Sequence, residues 1–290
     1  MLKDYLLPES VDEALQNLQT YSGRSAIIAG GTDLMVDMAE GKFNLEALID
    51  ISRIGELKLI EEDGDFIRLG AGVTHNQAAK SPLIQEKARV LSQASREVGS
   101  LQIRNVATLV GNIVSAQPAA DAAVALVALG AVAEIADPQG KREQPVEDLY
   151  AGIGECKVDC TSQIITAIRF AALQSNQGSA YKRLAKRKAL ALPMLNVAVV
   201  VSLSDNTFEW VRIVMAPVGQ GPVRATSSEK ILTGAPVTEE IIMQGAAAAI
   251  EQAAPRDSAL RGSAAYRRDV LKVLVRRALQ DAVSQAGGTQ

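Results

Sequence analysis

The chain has 290 residues and a mass of 30.7 kDa, enough for about two domains at roughly 150 residues each; 48% apolar and 22% charged residues are the balance of a globular protein. Thirty Lys and Arg against 33 Asp and Glu leave a net charge of −3, without the basic excess that nucleic-acid binding needs. A single histidine, His75, and two cysteines, Cys156 and Cys160, exclude a histidine triad, a multi-histidine metal site and a four-thiolate cluster within one chain.

Lys3, Asp4 and Pro8 stand where an export signal needs an uninterrupted apolar run, and Asp121 and Glu134 break the most apolar stretch, Ala119–Ala136. The reading is a cytoplasmic protein with no membrane span. Ser10 to Glu13 is a capping box, followed by the apolar stripe Val11, Ala14, Leu15 and Leu18 of a helix that Gly23 closes. Ser25–Ala29 predicts a short buried strand running into Gly30-Gly31-Thr32-Asp33 and a helix over Leu34–Ala39. Ala47–Ile51, Leu57–Glu61 and Phe66–Ala71 read as strands, the last two joined by a hairpin at Asp63-Gly64.

Pro82–Val98 and Pro118–Leu129 have helical patterns, ending before Gly99 and Gly130. Strands follow at Ala131–Ala136, with a turn at Asp137 to Gly140, and at Ile164–Phe170. Beyond the polar stretch Gln174–Gly178 the texture changes to strands at Ser179–Ala185, Met194–Leu203 and Thr207–Ala216, then helices at Thr238–Ala253 and Ser263–Ala286. The boundary is placed near residue 175.

Two places offer chemistry. Glycines after a buried strand let backbone approach a ligand, so Gly30-Gly31-Thr32 is either a phosphate cradle or a plain tight turn; it has neither the P-loop ending nor the dinucleotide Gly-x-Gly-x-x-Gly spacing. The stretch from Thr108 through Gly111 and Asn112 to Asp121 places a hydroxyl, a glycine, a carboxamide and a carboxylate close together, donors for a diphosphate and acceptors for ribose hydroxyls. The plain alternative has Asn112 capping a turn and Asp121 favouring a helix start.

Ile27-Ile28-Ala29-Gly30-Gly31-Thr32-Asp33-Leu34 and Gln102 to Ile113, followed by Pro118, Asp121, Ser179-Ala180-Tyr181-Lys182-Arg183 and Arg261 to Arg267, resemble the FAD-binding medium subunit of the molybdenum hydroxylase family, of the xanthine dehydrogenase and carbon monoxide dehydrogenase type. The resemblance spans nearly the whole chain. It implies an α+β fold: a two-part FAD-binding domain of the PCMH, or vanillyl-alcohol oxidase, type with parts at residues 1–55 and 56–172, and a smaller C-terminal α+β domain with an antiparallel sheet and helices at 173–290. It also implies non-covalent FAD, with Ile27, Ile28, Ala29, Gly30, Gly31, Thr32, Asp33 and Leu34 around the diphosphate and Thr108, Gly111 and Asn112 closing from the other side. Asp121 is the implied acidic contact, and Val98, Ile165 and Lys182 align with cofactor-lining positions.

The implied complex is a heterotrimer: a small subunit with 2Fe-2S clusters, a large subunit with the molybdenum cofactor, and this chain passing electrons through FAD to NAD or another acceptor. Flavin reactivity also suits a chain so poor in His and Cys. Val110 departs from the family's usual glycine, so either it lies extended and faces the core or the loop holds the cofactor differently. Two other readings stay open: a self-contained flavin oxidase or reductase, with His75, Tyr150 or Tyr181 moving protons, and a flavin-free scaffold. His75 reads as a helix-start residue without covalent FAD, and the cysteines as ordinary thiols. Lys182–Lys188 reads as a solvated basic edge.

Overall fold

A computed structural model describes residues 2–187, 190–259 and 261–287. The first layer is a small parallel sheet of β1 (Asp4–Leu6), β2 (Ser25–Ile28) and β3 (Ala47–Asp50), in the order β1-β3-β2. α1 (Val11–Tyr21) begins at the expected N-cap, the Ser10 hydroxyl accepting from Glu13 N–H at 3.1 Å, but the reciprocal bond of a capping box is shifted by one residue: Glu13 Oε2 accepts from Glu9 N–H at 2.8 Å and not from Ser10 N–H. Its buried Ala14 and Leu18 meet Ile49 of the sheet; α2 (Leu34–Ala39) packs Leu34 and Met38 on Leu48 and Ile28 at the other face.

The second layer is an antiparallel sheet ordered β4-β5-β10-β6-β7. Its strands β4 (Ile60–Asp63) and β5 (Phe66–Gly70) form the expected hairpin, and β6 (Val132–Asp137) and β7 (Gly140–Pro145) form another. The Asp137 carboxylate accepts from the amides of Gln139 and Gly140 in that turn. A two-stranded piece, β8 (Tyr150–Gly152) with β9 (Glu155–Cys156), precedes β10 (Ile164–Ala171).

Helices α3 (His75–Lys80), α4 (Pro82–Lys87), α5 (Arg89–Glu97), α6 (Leu101–Arg104), α7 (Leu109–Val114) and α8 (Asp121–Ala128) lie between β5 and β6 in the chain. Pro82–Val98 is not one helix. It breaks at the fully buried Ala88, whose ψ of 48° leaves the helical range, and the freed Lys87 carbonyl accepts from Leu173 N–H at 2.9 Å. The helix expected from Pro118 starts at Asp121, after a turn in which Ala120 N–H bonds Gln117 O. The strand expected at Leu57 starts only at Ile60, because a 3-10 turn over Gly55–Lys58 drives the Leu57 side chain into the core.

The third layer is β11 (Gln177–Leu184), β12 (Leu195–Ser204), β13 (Thr207–Ala216) and β14 (Val223–Arg224), antiparallel in that order. Asp205 and Asn206, both with positive φ, make the two-residue turn between β12 and β13. Strand alternation assigns the two faces. Tyr181, Ala198, Val200 and Val214 join the core shared with α5 and α8, while Ala180, Val197, Val199, Val201 and Ile213 face α9 (Thr226–Leu232), α10 (Glu239–Ala248) and α11 (Ala264–Gln285). A sheet buried on both faces reads as the continuous apolar run that β12 shows. Among the described residues no helix is long and apolar enough to cross a membrane, and no His, Cys, Asp and Glu cluster suits a metal ion.

Candidate functional site

The turn after β2 is shaped by what glycine lacks. A Cβ on Gly30 would stand 2.1 Å from the Val106 carbonyl oxygen, so only glycine lets this turn lie directly on the segment 106–107. Gly31 takes φ +66°, a left-handed conformation that side chains resist. Among the described residues the amides of Gly30, Gly31, Thr32 and Asp33 find no acceptor within the chain. Successive unpaired N–H groups in a glycine turn form a concavity suited to an anion.

The second segment is more regular than its sequence suggests. Thr108 caps α7, its hydroxyl accepting from Gly111 N–H at 2.9 Å. Val110 is therefore helical, not extended, and it points into the core; its side chain sits where a residue without Cβ would leave a gap. Asn112, one turn after Thr108, keeps a buried Oδ1 with no partner among the described residues. The start of α7 is bound to the start of α3 through an antiparallel bridge between Thr74 and Thr108, with His75 N–H on Ala107 O and Leu109 N–H on Val73 O, both at 3.0 Å.

Both segments open onto one cleft of about 850 Å³, within the range of small-molecule sites. Ile27 through Leu34, Val98, Thr108, Gly111, Asn112 and Asp121 all line it. Two expected residues do not. Ile165 is buried in β10 opposite Ile135, and Lys182 lies on the far face of β11, where it pairs with Asp281 of α11. The segment Gly154 to Thr161, of which the sequence had singled out only Cys156 and Cys160, also lines the cleft, as do Leu190, Ala191 and Leu192 of the loop after β11. Leu190 and Leu192 are 57% and 69% exposed and form an apolar lip.

Asp121 sits where the cleft meets the third layer. Its Oδ1 accepts from Tyr181 Oη–H, from Asn196 Nδ2 at 2.9 Å and from Arg183 Nε at 3.2 Å. Burial raises the Asp121 carboxyl above its ordinary range, opposed by the Arg183 charge and by these hydrogen bonds. Arg183 also reaches Glu97 at 3.4 Å and the Ala191 carbonyl, so one guanidinium ties the cleft floor, the end of α5 and the apolar lip together. The basic run is thereby dispersed: Lys182, Arg183 and Arg187 each have separate partners, and Lys188 lies outside the described residues.

The cleft's electrostatics are unusual for an anion site. Asp33, Asp37, Asp121, Glu155 and Asp159 line it, and Lys157 is the one cation among the described lining residues. Burial, then the charge of Asp37, raises the Asp33 carboxyl. Negative charge on a ligand must be met chiefly by neutral N–H donors. Burial pushes the Cys160 thiol up to about 12 and Cys156 upward, so both are protonated thiols and not nucleophiles at neutral pH.

His75 opens α3 as a helix-start residue and lines the cleft, 1% exposed, with Nδ1 unpartnered among the described residues. Burial and the nearby Arg104 hold its pKa down to about 4, so the imidazole is neutral. Tyr150 and Tyr181 do not line the cleft: the Tyr150 ring packs at Gly221, and Tyr181 is locked onto Asp121. Of the three proton-transfer candidates, only His75 is in place.

Comparison with known proteins gives a consistent result. Residues 2–171 match the family described as the FAD binding domain in molybdopterin dehydrogenase, and residues 179–282 match the CO dehydrogenase flavoprotein C-terminal domain. The carbon monoxide dehydrogenase medium chain of Hydrogenophaga pseudoflava is 31% identical, over 96% of each chain. The nicotinate dehydrogenase FAD-subunit of Eubacterium barkeri is 28% identical, over 98% of this chain and 97% of that one. Among solved structures, a chain of carbon monoxide dehydrogenase from Hydrogenophaga pseudoflava superposes with a TM-score of 0.92 at 29% identity, covering 98% of both chains.

Proposed function

Because the chain belongs to the FAD-binding family of the molybdopterin dehydrogenases, we propose that it is the electron-transfer flavoprotein subunit of a heterotrimeric molybdenum hydroxylase, receiving electrons from 2Fe-2S clusters of a small subunit and delivering them to NAD or another acceptor. Its relatives include a dehydrogenase FAD-subunit and a carbon monoxide dehydrogenase medium chain, which supports the reading. The large subunit of this reading carries the molybdenum cofactor, and the complex works in the cytoplasm. FAD, when bound, supplies the hydride and one-electron chemistry that converts between the two kinds of partner.

The rest is the work of this chain's own residues. The observation that carries the reading is the meeting of the two turns: Gly30 lies on Val106, and the unpaired amides of Gly30 to Asp33 and the orphaned Asn112 Oδ1 open onto the same cleft. The unpaired amides are donors that fit a dinucleotide's diphosphate, whereas Asn112 Oδ1 is an acceptor and would take a hydroxyl or N–H of the ligand. We assign Ala29 to Leu34 to the diphosphate, with Thr108, Gly111 and Asn112 closing from α7, and Asp121 as an acceptor for hydroxyl groups. Val98 and the lip of Leu190 and Leu192 offer apolar surface to the flat ring. On this reading residues 1–55 and 56–172 are the two FAD-binding parts, and 173–290 form the domain that carries the lip.

The test is reconstitution. The FAD-loaded chain mixed with its iron–sulfur partner, reduced in advance, should show bleaching of the flavin absorbance. An FAD-loaded chain that stays oxidised beside a reduced partner bound to it contradicts the electron-transfer role. Turnover of a small organic substrate by the isolated chain would support the self-contained oxidase instead.

A further inference from the structure

His75 is the only histidine of the chain, and α3 does not need it. Thr74 and Gln77 already complete the capping box at that helix start, the Thr74 hydroxyl accepting from Gln77 N–H at 3.3 Å and Gln77 Oε1 accepting from Thr74 N–H at 2.8 Å. The buried positions further along the same helix, Ala78 and Ala79, are apolar. A polar ring at 1% exposure is costly without a partner, and Nδ1 has none among the described residues.

Its place supplies one. His75 N–H is bonded to Ala107 O, and the Cα of Ala107 would lie 2.9 Å from a Cβ on Gly30, so the imidazole stands at the junction of the two glycine-bearing segments. The lining there is short of positive charge, Lys157 being its one described cation, so an anion held between the turns draws on neutral donors. A neutral imidazole presents one N–H and one lone pair.

We propose that His75 is a cofactor-binding residue whose uncharged imidazole hydrogen-bonds the diphosphate of the bound dinucleotide. The inference rests on the FAD-binding reading and adds a ligand-contacting side chain to it. It carries a signature that a structural histidine does not. Replacing an orphaned buried polar ring by an apolar side chain removes a desolvation penalty from the flavin-free chain while removing a contact from the loaded one.

The experiment measures FAD and ADP affinity, and the melting temperature of the flavin-free full chain, for the wild type, His75→Leu and His75→Gln. Leucine is expected to weaken both ligands by about tenfold or more, the loss of one hydrogen bond to a charged acceptor, with the flavin-free melting temperature unchanged or raised. Glutamine, which restores a neutral donor, should recover much of that affinity. Unchanged FAD and ADP affinity in His75→Leu overturns the inference and leaves the FAD reading standing. So does weaker binding that merely follows a lowered melting temperature. A wild-type chain that binds neither FAD nor ADP overturns both.

Discussion

Gly30 and Val106, 76 positions apart, are in direct backbone contact: the carbonyl oxygen of Val106 occupies the space where any side chain on residue 30 would begin, 2.1 Å from the Cβ position. The turn from the first layer and the segment from the second are thereby fixed as two walls of one cleft. Gly30→Ala must push them apart. Overpacking of this kind costs about 1–3 kcal/mol, and the variant should lose FAD affinity as well as stability. Flavin titration and thermal unfolding of the purified variant check both effects.

Gly31 acts differently, since its φ of +66° leaves it pointing at Ile28 and Met35 and not at backbone. Gly31→Asp combines left-handed strain with a carboxylate beside the diphosphate, and should abolish FAD binding while costing about 1–2 kcal/mol of stability. Normal FAD occupancy in that variant contradicts the assignment of this turn.

Arg183 and Asp121 have side chains only 7% and 8% exposed. Arg183→Met leaves the buried Asp121 carboxyl with only Tyr181 and Asn196 as donors and drives it further toward its protonated form, and should destabilise the chain by about 3 kcal/mol. Adding Asp121→Asn should recover part of that loss. A double-mutant cycle by chemical unfolding, with a coupling clearly different from zero, is the expected result.

The pH dependence follows from His75. Its pKa is about 4 in the folded chain against an ordinary 6.5, so between those values the unfolded chain binds more protons than the folded one. Stability of the flavin-free chain should therefore fall as pH drops from about 6.5 toward 4, by on the order of 3 kcal/mol from this group alone. His75→Leu should remove that component from the unfolding curve across this window.

A cleft whose described lining carries five carboxylates and one lysine binds an anion through N–H groups, so salt has little to screen. Raising ionic strength from about 0.05 M to about 0.5 M should change the Kd for FAD by less than about threefold. A steep loss of affinity would place a cluster of cations on the diphosphate instead.

Much of the architecture was legible because local rules and burial agree. The N-cap at Ser10, the hairpins at Asp63-Gly64 and Asp205-Asn206 and the doubly buried β12 each follow from chemistry within a few residues. The two glycine-bearing segments were legible as places where backbone can approach a ligand, with a plain turn or cap as the alternative for each, and the resemblance proposed a role for both. What the sequence withheld depends on distant contacts. The break at Ala88 is set by total burial and by Leu173, and Val110 is helical because Thr108 caps α7. Lys182 follows strand alternation away from the cleft, toward Asp281, although its neighbours Tyr181 and Arg183 reach Asp121. The lip at Leu190 and Leu192 comes from the third layer and carries no motif at all.

The central claim is that the cleft between these two turns holds one FAD without a covalent bond. Quantifying flavin in the freshly purified chain, before and after denaturation, tests it most directly. The account predicts a flavin absorption spectrum, one FAD per chain, and its complete release into the supernatant on denaturation. A folded chain that emerges colourless and takes up no FAD when the cofactor is supplied in excess contradicts it.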